Sequence, residues 1–459
     1  MAVITAPEPA VAAGPAGSGE AAPRLTVIGT GYLGATHAIC MAVLGFDVLG
    51  VDTDAEKIET LSSGEVPFFE PGLPELLTKA LESGRLRFTT SFAEAAEFGD
   101  VHFVCVGTPQ QQGSDAADLR YVDSAVTELA AHLRRRALVV GKSTVPVGTA
   151  ARLTELVQRV APAGNGVELA WNPEFLREGY AVDDTLRPDR LVFGVSSDWA
   201  EERLRAAFGP VIAQGAPVVV TDLTTAELVK VAANSFLATK ISYINAMAEV
   251  CEATGGDVTR LAEALSYDDR IGGRFLKPGL GFGGGCLPKD IRAFAYRAEE
   301  LGVGQAVTFL REVDAINKRR RARTVDLVAE LAGGDLRGVR VAALGAAFKP
   351  NSDDIRDAPA LDVASTLHRL GAHVTVVDPA ATDNARRNHP ELSYAADALS
   401  AAEGADVVVL LTEWSEFRHL DPEAMGAAVA HRRIVDGRHA LDPVQWRAAG
   451  WEYRALGRP

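Results

Sequence analysis

A single cysteine ends a run of glycines in GFGGGCLPKD, Gly281 to Asp290, and is followed at once by Leu287, Pro288, Lys289 and Asp290. A thiol attacks carbon only as its thiolate, so the surroundings decide whether it reacts. Proline suits the first turn of a helix, because its missing N–H would be unpaired there anyway. The spacing therefore predicts Cys286 at a helix N-terminus beside Lys289, where exposed amides and positive charge favour the thiolate. Glycines at 281, 283, 284 and 285 would let the backbone approach a ligand closely. A glycine-rich loop around a small buried cysteine fits this stretch equally well.

Two further sets have the types to assist a nucleophile. Lys230 and Asn234 stand four residues apart in a helical run and so share one face. They could polarise an oxyanion, or form a solvated stripe. Glu174 and Glu178 lie in WNPEFLREG, Trp171 to Gly179, whose proline, glycine and mixed charge predict a loop. Two carboxylates there could do acid–base work or orient water, although a charged surface loop has the same composition.

These groups need a scaffold, and order is predicted to begin at RLTVIGTGYLG. Leu25 to Ile28 reads as a buried strand, Gly29-x-Gly31-x-x-Gly34 as a tight turn, and Ala35 to Leu44 as a helix. A second strand, Asp47 to Val51, ends at Asp52. This is the layout of a dinucleotide-binding βαβ unit: pyrophosphate on the helix N-terminus, ribose hydroxyls on the acid. A carboxylate at 52 would repel a 2′-phosphate, so the cofactor expected is NAD rather than NADP. Strand-like runs at Val101 to Val106 and Ala137 to Val140 place Thr108 and Thr144 beyond strand ends, where a doubly wound sheet holds its ligands; simple turn chemistry is their other reading.

Thr224-x-x-Glu227 has the capping-box pattern and opens a helical run to about Thr254. Its apolar positions Leu228, Val231, Phe236 and Leu237 suggest packing against other helices. So long a helix suits a spine between outer domains and a dimer surface. Past Gly333, VRVAALGAAFK, LGAHVTVVDPA and ADVVVLLTEW repeat the order and spacing of LTVIGTGYLG, LGFDVLGVDTD and GDVHFVCVGTP. The repeat predicts a second nucleotide-binding-like domain without the glycine fingerprint. Phe348 and Lys349 stand near the end of its first strand, which suggests a phosphorylated ligand; a purely structural duplicate is the alternative.

At 459 residues the chain is long enough for two or three domains. Its net charge of −15 argues against a nucleic-acid surface without excluding an anionic substrate held by local cations. Four scattered cysteines without a CxxC pair fit a reducing compartment and argue against structural zinc. No metal site, secretory signal or run of about 18 apolar residues for a membrane span is expected.

Taken together, these motifs resemble the UDP-glucose 6-dehydrogenase family, within the wider nucleotide-sugar dehydrogenases. The resemblance runs from about Arg24 onward through GTGYLG, VDTD, Glu70-Pro71-Gly72-Leu73, VGTP, STVPVGT, NPEFLREG, the Lys230/Asn234 helix, FLKPGLGFGGGCLPKD, AAFKPNSDDIRDAP and TEWSEF. It implies oxidation of a sugar CH2OH to a carboxylate with two NAD+, through a covalent intermediate on Cys286. Lys230 and Asn234 match the oxyanion-stabilising pair, Thr144 and Asp290 the pair holding the catalytic water, and Glu174 the general base. For the cofactor the pattern carries over to Gly29, Gly31, Tyr32, Leu33, Gly34, Asp52 and Lys57, and further to Thr108, Thr144, Glu178 and Arg356. For the nucleotide sugar it carries over to Phe175, Leu176, Lys230, Asn234 and Arg270. Phe275, Leu276, Lys277, Pro278, Gly279, Gly283 and Lys349 complete that set.

Arg270 is similar to an arginine that reaches the substrate from the neighbouring subunit, so a homodimer or larger assembly is implied. The implied fold is α/β, with two Rossmann-like doubly wound domains joined by a long central helix. Its expected division is a disordered tail at 1–23, an NAD domain at 24–222, a helical dimerisation domain at 223–325 and a UDP-sugar domain at 326–459. The expected location is cytoplasmic, with no nucleic-acid or membrane partner. NPEFLREG followed by AVDDTLRPDR looks like the UDP-glucose branch rather than those acting on GDP-mannose or UDP-N-acetylmannosamine. A silent NAD-binding regulator would lack members of the catalytic set, and an ordinary two-electron alcohol dehydrogenase would not need Cys286.

Overall fold

The computed structural model describes residues 22–458; residues 1–21, most of the expected tail, lie outside the described residues. The chain divides into two compact units. One comprises the residues up to Pro109 with Asp118–Lys230, the other Gln110–Ala117 with the residues from Val231 onward.

The first unit is built on an eight-stranded sheet. Its strands are β1 (Leu25–Ile28), β2 (Val48–Val51), β3 (Leu86–Thr89), β4 (Val101–Val104), β5 (Ala137–Gly141), β6 (Val167–Trp171), β7 (Leu191–Gly194) and β8 (Val218–Thr221), in the order β3-β2-β1-β4-β5-β6-β7-β8. All neighbours are parallel except β6 and β7, which meet antiparallel at Trp171 and Gly194. Every residue of β1, β2, β4 and β5 is buried, as expected of parallel strands covered on both faces. Strand order reverses between β1 and β4, and this opens the crevice where such sheets take ligands.

The second unit carries a six-stranded parallel sheet. Its strands are β9 (Arg340–Leu344), β10 (His373–Val377), β11 (Ser393–Tyr394), β12 (Val407–Leu410), β13 (Arg433–Asp436) and β14 (Glu452–Ala455), in the order β11-β10-β9-β12-β13-β14. Its order repeats that of β3-β2-β1-β4-β5-β6, so the internal repeat read from the sequence is a repeat of topology. Two Rossmann-like sheets with a long helix connecting them in the chain is the fold class expected.

That central helix, Leu223–Thr254, is 32 residues long. It corrects two local readings. Thr224 is already inside the helix, and the cap is Asp222, whose carboxylate accepts from the Thr225 N–H at 2.8 Å. Glu227 serves another helix. It is buried and accepts from the Gly148 and Ala150 N–H groups at 2.8 and 2.6 Å, capping the separate helix Thr149–Val160. Within one chain Phe236 is 66% exposed and Leu228 is also exposed, whereas Val231 is buried. The first helix starts at Tyr32 rather than Ala35 and ends at Val43, because the fingerprint's own residues form its first turn. No helix of the described residues is long and apolar enough to cross a membrane, and none of their His, Cys, Asp and Glu side chains form a metal-sized cluster.

Candidate active site

In the first unit the turn after β1 makes a cradle. Gly29 has a φ of 88°, which a side chain disfavours. Gly31 caps the helix Tyr32–Val43 without a side chain on the helix amides, and nothing lies within 4 Å of where its Cβ would be. Gly34 packs helix against turn: a Cβ there would sit 1.8 Å from the Gly29 carbonyl oxygen. Open space before the amides of a helix N-terminus fits a pyrophosphate.

Asp52 lies beside this turn. Its Oδ2 accepts from the Thr30 N–H, the Thr30 hydroxyl and Lys57 Nζ at 2.8, 3.1 and 3.0 Å. Its Oδ1 accepts from the Asp54 N–H at 3.1 Å and keeps capacity for a ribose hydroxyl. Burial pushes this carboxyl up, but Lys57 and the two amides outweigh it and hold it below the usual range. These residues fit NAD.

The Tyr32 hydroxyl donates to Glu70, which also accepts from the Gly179 and Ala181 N–H groups at 2.6 and 2.7 Å. Glu70 thus ties the glycine turn to the end of the NPEFLREG loop. Burial and the Glu70 carboxylate push the Tyr32 hydroxyl far up, with a smaller push from Glu178, so it stays a donor at any working pH. Leu33 is half-buried against the apolar core behind the turn. Thr108 and Thr144 follow β4 and β5 as expected, and the Thr108 hydroxyl donates to the Thr144 carbonyl at 2.8 Å.

Residues 172–176 form a loop, but Glu174 is no surface carboxylate. It is 13% exposed, with Lys230 Nζ 2.8 Å from Oε1 and the Leu176 N–H 2.6 Å from Oε2. Burial would raise its pKa; the charge and hydrogen bond of Lys230, the Leu176 amide and the charge of Lys142 hold it below the usual range instead. Phe175 packs under the Arg190 guanidinium, 3.6 Å from the ring centroid, with Lys230 Nζ at 5.6 Å. Lys142 is buried, its Nζ 2.8 Å from Asn172 Oδ1, while Asn172 Nδ2 donates to the Val192 carbonyl.

In the second unit Cys286 caps the helix Leu287–Glu300, with Pro288 in its first turn, as the spacing predicts. Cys286 is exposed. Cys40 and Cys105 are buried, which pushes their thiols up to about 12, and Cys251 is buried and raised as well. Asp290 is buried one turn on, accepting from Asn234 Nδ2 at 2.7 Å and Lys289 Nζ at 2.5 Å. The Lys289 charge expected beside the sulfur is therefore paired with Asp290. Asn234 and Lys230 are both buried, which removes the solvated-stripe reading.

The four glycines before Cys286 are closely surrounded by the rest of the unit. A Cβ would meet Asn317 Oδ1 at 2.2 Å from Gly281, the Asp357 carbonyl oxygen at 2.4 Å from Gly283, the Phe348 ring at 2.8 Å from Gly284 and the Arg356 guanidinium at 2.3 Å from Gly285. At each of these glycines protein already stands where a side chain would be. Arg356 is gripped by Asp354 through Nε at 2.9 Å and Nη2 at 2.7 Å, and Lys349 Nζ lies 5.2 Å from the Phe348 ring centroid. Phe275, at a φ of 63°, and Lys277 are exposed, while Leu276, Pro278 and Gly279 are buried; the Gly279 N–H donates to Asn245 Oδ1 at 2.9 Å. Arg270 stands apart on the surface, its side chain 90% exposed and bonded to Asp268.

Three family models cover most of the chain: the UDP-glucose/GDP-mannose dehydrogenase family NAD binding domain over residues 23–212, its central domain over 224–319 and its UDP binding domain over 342–443. The chain belongs to the UDP-glucose/GDP-mannose dehydrogenase family. Within that family it is 41% identical to the UDP-glucose 6-dehydrogenase of Rhizobium meliloti, over 95% of this chain and all of the relative. It is also 41% identical to that of Pseudomonas aeruginosa, over 95% and 98%. The solved UDP-glucose dehydrogenase of Pyrobaculum islandicum superposes with a TM-score of 0.89 at 37% identity, over 96% and 99% of the two chains. As a member of this family the chain is an NAD-dependent dehydrogenase.

Several well-bonded residues of this family member escaped the sequence reading. Glu70 was visible only as part of a motif, Lys142 as the residue before STVP. Arg438, half-buried, donates to the carbonyls of Leu411 at 2.7 Å and Gly281 at 2.9 Å. Each acts on main chain or on a distant residue, which leaves no local spacing to read.

Proposed function

We propose that the chain oxidises UDP-glucose to UDP-glucuronate, consuming two NAD+ and one water and releasing two NADH. Bound at the Gly29–Gly34 turn, NAD supplies a two-electron hydride acceptor. Loss of a hydride and a proton from the sugar CH2OH leaves an aldehyde. The Cys286 thiolate adds to its carbon, forming the C–S bond of a thiohemiacetal. Loss of a second hydride gives a thioester, water adds to the carbonyl, and the thiolate leaves as the carboxylate forms. We assign oxyanion stabilisation to Lys230 and Asn234, water holding to Thr144 and Asp290, and proton acceptance to Glu174, which must part from Lys230 to do it.

The observation that carries this reading is an exposed thiol capping a helix one turn before a buried, amide-bonded carboxylate, in a chain of this family. Asp52, Lys57, Tyr32, Leu33, Thr108, Glu178 and Arg356 are assigned to the cofactor. Phe175, Leu176, Arg270, the 275–279 stretch, Gly283 and Lys349 are assigned to the nucleotide sugar. The division at 24–222, 223–325 and 326–459 is part of the proposal. So is a homodimer: Phe236, Tyr243 and Val250 recur every seven residues as exposed apolar side chains on the central helix, a spacing suited to pairing with a second copy. A cytoplasmic location is supported by exposed Cys286 chemistry, which needs a reducing compartment.

The test is NADH formed per UDP-glucose consumed, for the intact protein and for Cys286→Ser. Two NADH with UDP-glucuronate, and a stalled variant, are expected. One NADH with free aldehyde would overturn the covalent route, and two NADH only with UDP-N-acetylmannosamine or GDP-mannose would move the substrate.

A further inference from the structure

Residues 281–286 contain no helix or strand, so their main-chain groups need partners from elsewhere. Phe282, four residues before Cys286, finds both of its partners in one buried amide. Asn317, 1% exposed on the helix Phe309–Ala332, donates through Nδ2 to the Phe282 carbonyl at 2.8 Å and accepts through Oδ1 from the Phe282 N–H at 2.8 Å. A turn further along that helix, Arg321 gives the same carbonyl a second donor, Nη2 at 3.1 Å. Its Nη1 bonds Asp357 Oδ1 at 2.9 Å, and Asp357 Oδ2 lies 3.3 Å from Arg292, which belongs to the helix that Cys286 caps. The Gly284 N–H donates to the Arg356 carbonyl at 2.9 Å. Asp357, at a φ of 46°, holds a strained conformation that needs such surroundings.

We propose that Asn317, backed by Arg321, is a positioning residue for the nucleophile: its two bonds to Phe282 fix where the Cys286 sulfur stands relative to the aldehyde it must capture. The proposal rests on Cys286 being the attacking group. Three residues separate Phe282 from Cys286, and their glycines give them no side chains with which to hold register. A shift of the clamp therefore reaches the sulfur across a short main-chain link that is tied at Gly284. Misplacing a reacting atom by about 1 Å costs on the order of 10²-fold in rate.

Asn317→Leu removes both bonds, and Asn317→Asp keeps only the acceptor for the Phe282 N–H. With UDP-glucose, the expected result is a turnover loss of about 10²-fold for Asn317→Leu and a smaller one for Asn317→Asp, at unchanged KM. NADH per sugar should fall from two toward one, the uncaptured aldehyde being trapped by semicarbazide. NADH affinity, read by fluorescence, should not change. Should Asn317→Leu fail to fold, Asn317→Asp carries the test alone. A folded variant that keeps two NADH per sugar, whether at full rate or with a loss mirrored in NADH affinity, overturns the positioning role. One NADH per sugar from the intact protein would instead overturn the covalent reading beneath it.

Discussion

At the end of β1 the first sheet runs into Gly29-Thr30-Gly31-Tyr32-Leu33-Gly34; at the end of β9 the second runs into Gly345-Ala346-Ala347-Phe348-Lys349-Pro350. Both begin with a glycine at positive φ, 88° and 120°, and both second strands end on an aspartate, Asp52 and Asp378. From there they diverge. Gly31 has open space before it and its helix starts one residue later, whereas Pro350 stands at the third glycine's place and the next helix of the second sheet waits until Pro359. Asp52 keeps a lone pair in reserve. Asp378 has none to offer: it accepts from the N–H groups of Ala346, Ala347, Ala380 and Ala381 and from Trp414 Nε1, all between 2.7 and 3.0 Å. The same topology therefore presents a dinucleotide cradle once. In its second use the carboxylate is a structural brace, and the freed loop carries Lys349 and Arg356.

The largest expected effect separates the two units by role. Cys286→Ala should cut turnover by about 10³-fold or more while NADH affinity, set by the first sheet, stays at the intact value. Measured together by stopped-flow and fluorescence, a parallel loss of both would break the comparison. Next come the two aspartates. Asp378→Ala strands five donors, four of them buried, and should cost about 3 kcal/mol in denaturant unfolding with NAD affinity untouched. Asp52→Ala should do the reverse, weakening NAD about 10-fold by titration at little cost in stability. Equal behaviour of the pair would show that the second sheet also takes a dinucleotide.

A smaller contrast is Gly31→Ala against Ala347→Gly. The first puts a methyl into the open cradle and should raise the NAD Kd several-fold. The second should lower stability by about 0.5 to 1 kcal/mol without touching NAD.

The smallest effect lies within the first unit. The Glu174 carboxyl is depressed in the folded chain, so the stability its pair with Lys230 contributes is complete above the ordinary value of 4.5 and is lost as pH falls through the lower folded value. The melting difference between the intact protein and Glu174→Gln should be flat above that pH and shrink in acid. A difference growing in acid would reverse the sign of the shift.

Much of this architecture was legible because it is written in short stretches. The βαβ fingerprint, the repeat of its order after Gly333, and Pro288 two residues behind Cys286 each depend on neighbours in sequence. Tertiary partners were not legible. Glu227 has the spacing of a capping box and caps another helix, because Asp222 already serves its own. Phe236 has the spacing of a core residue and faces outward. Glu70, Lys142 and Asn317 grip residues between 30 and 111 positions away, as Glu70 does at Gly179 and Ala181, Lys142 at Asn172 and Asn317 at Phe282. A spacing rule sees none of that.

The loop before Cys286 also bears on how this chain can change. Asn317, Asp357, Phe348 and Arg356 each occupy the place of a different missing side chain, at Gly281, Gly283, Gly284 and Gly285. A substitution at Gly281, Gly284 or Gly285 meets a side chain from outside the loop and is eased if that residue has already shrunk, whereas at Gly283 the obstacle is the Asp357 main-chain carbonyl, which no replacement at 357 removes. Such paired requirements are strongly non-additive. Single-step libraries across residues 281–285 should yield almost nothing, and new variants of this loop are reachable only through double replacements whose first member lies outside it.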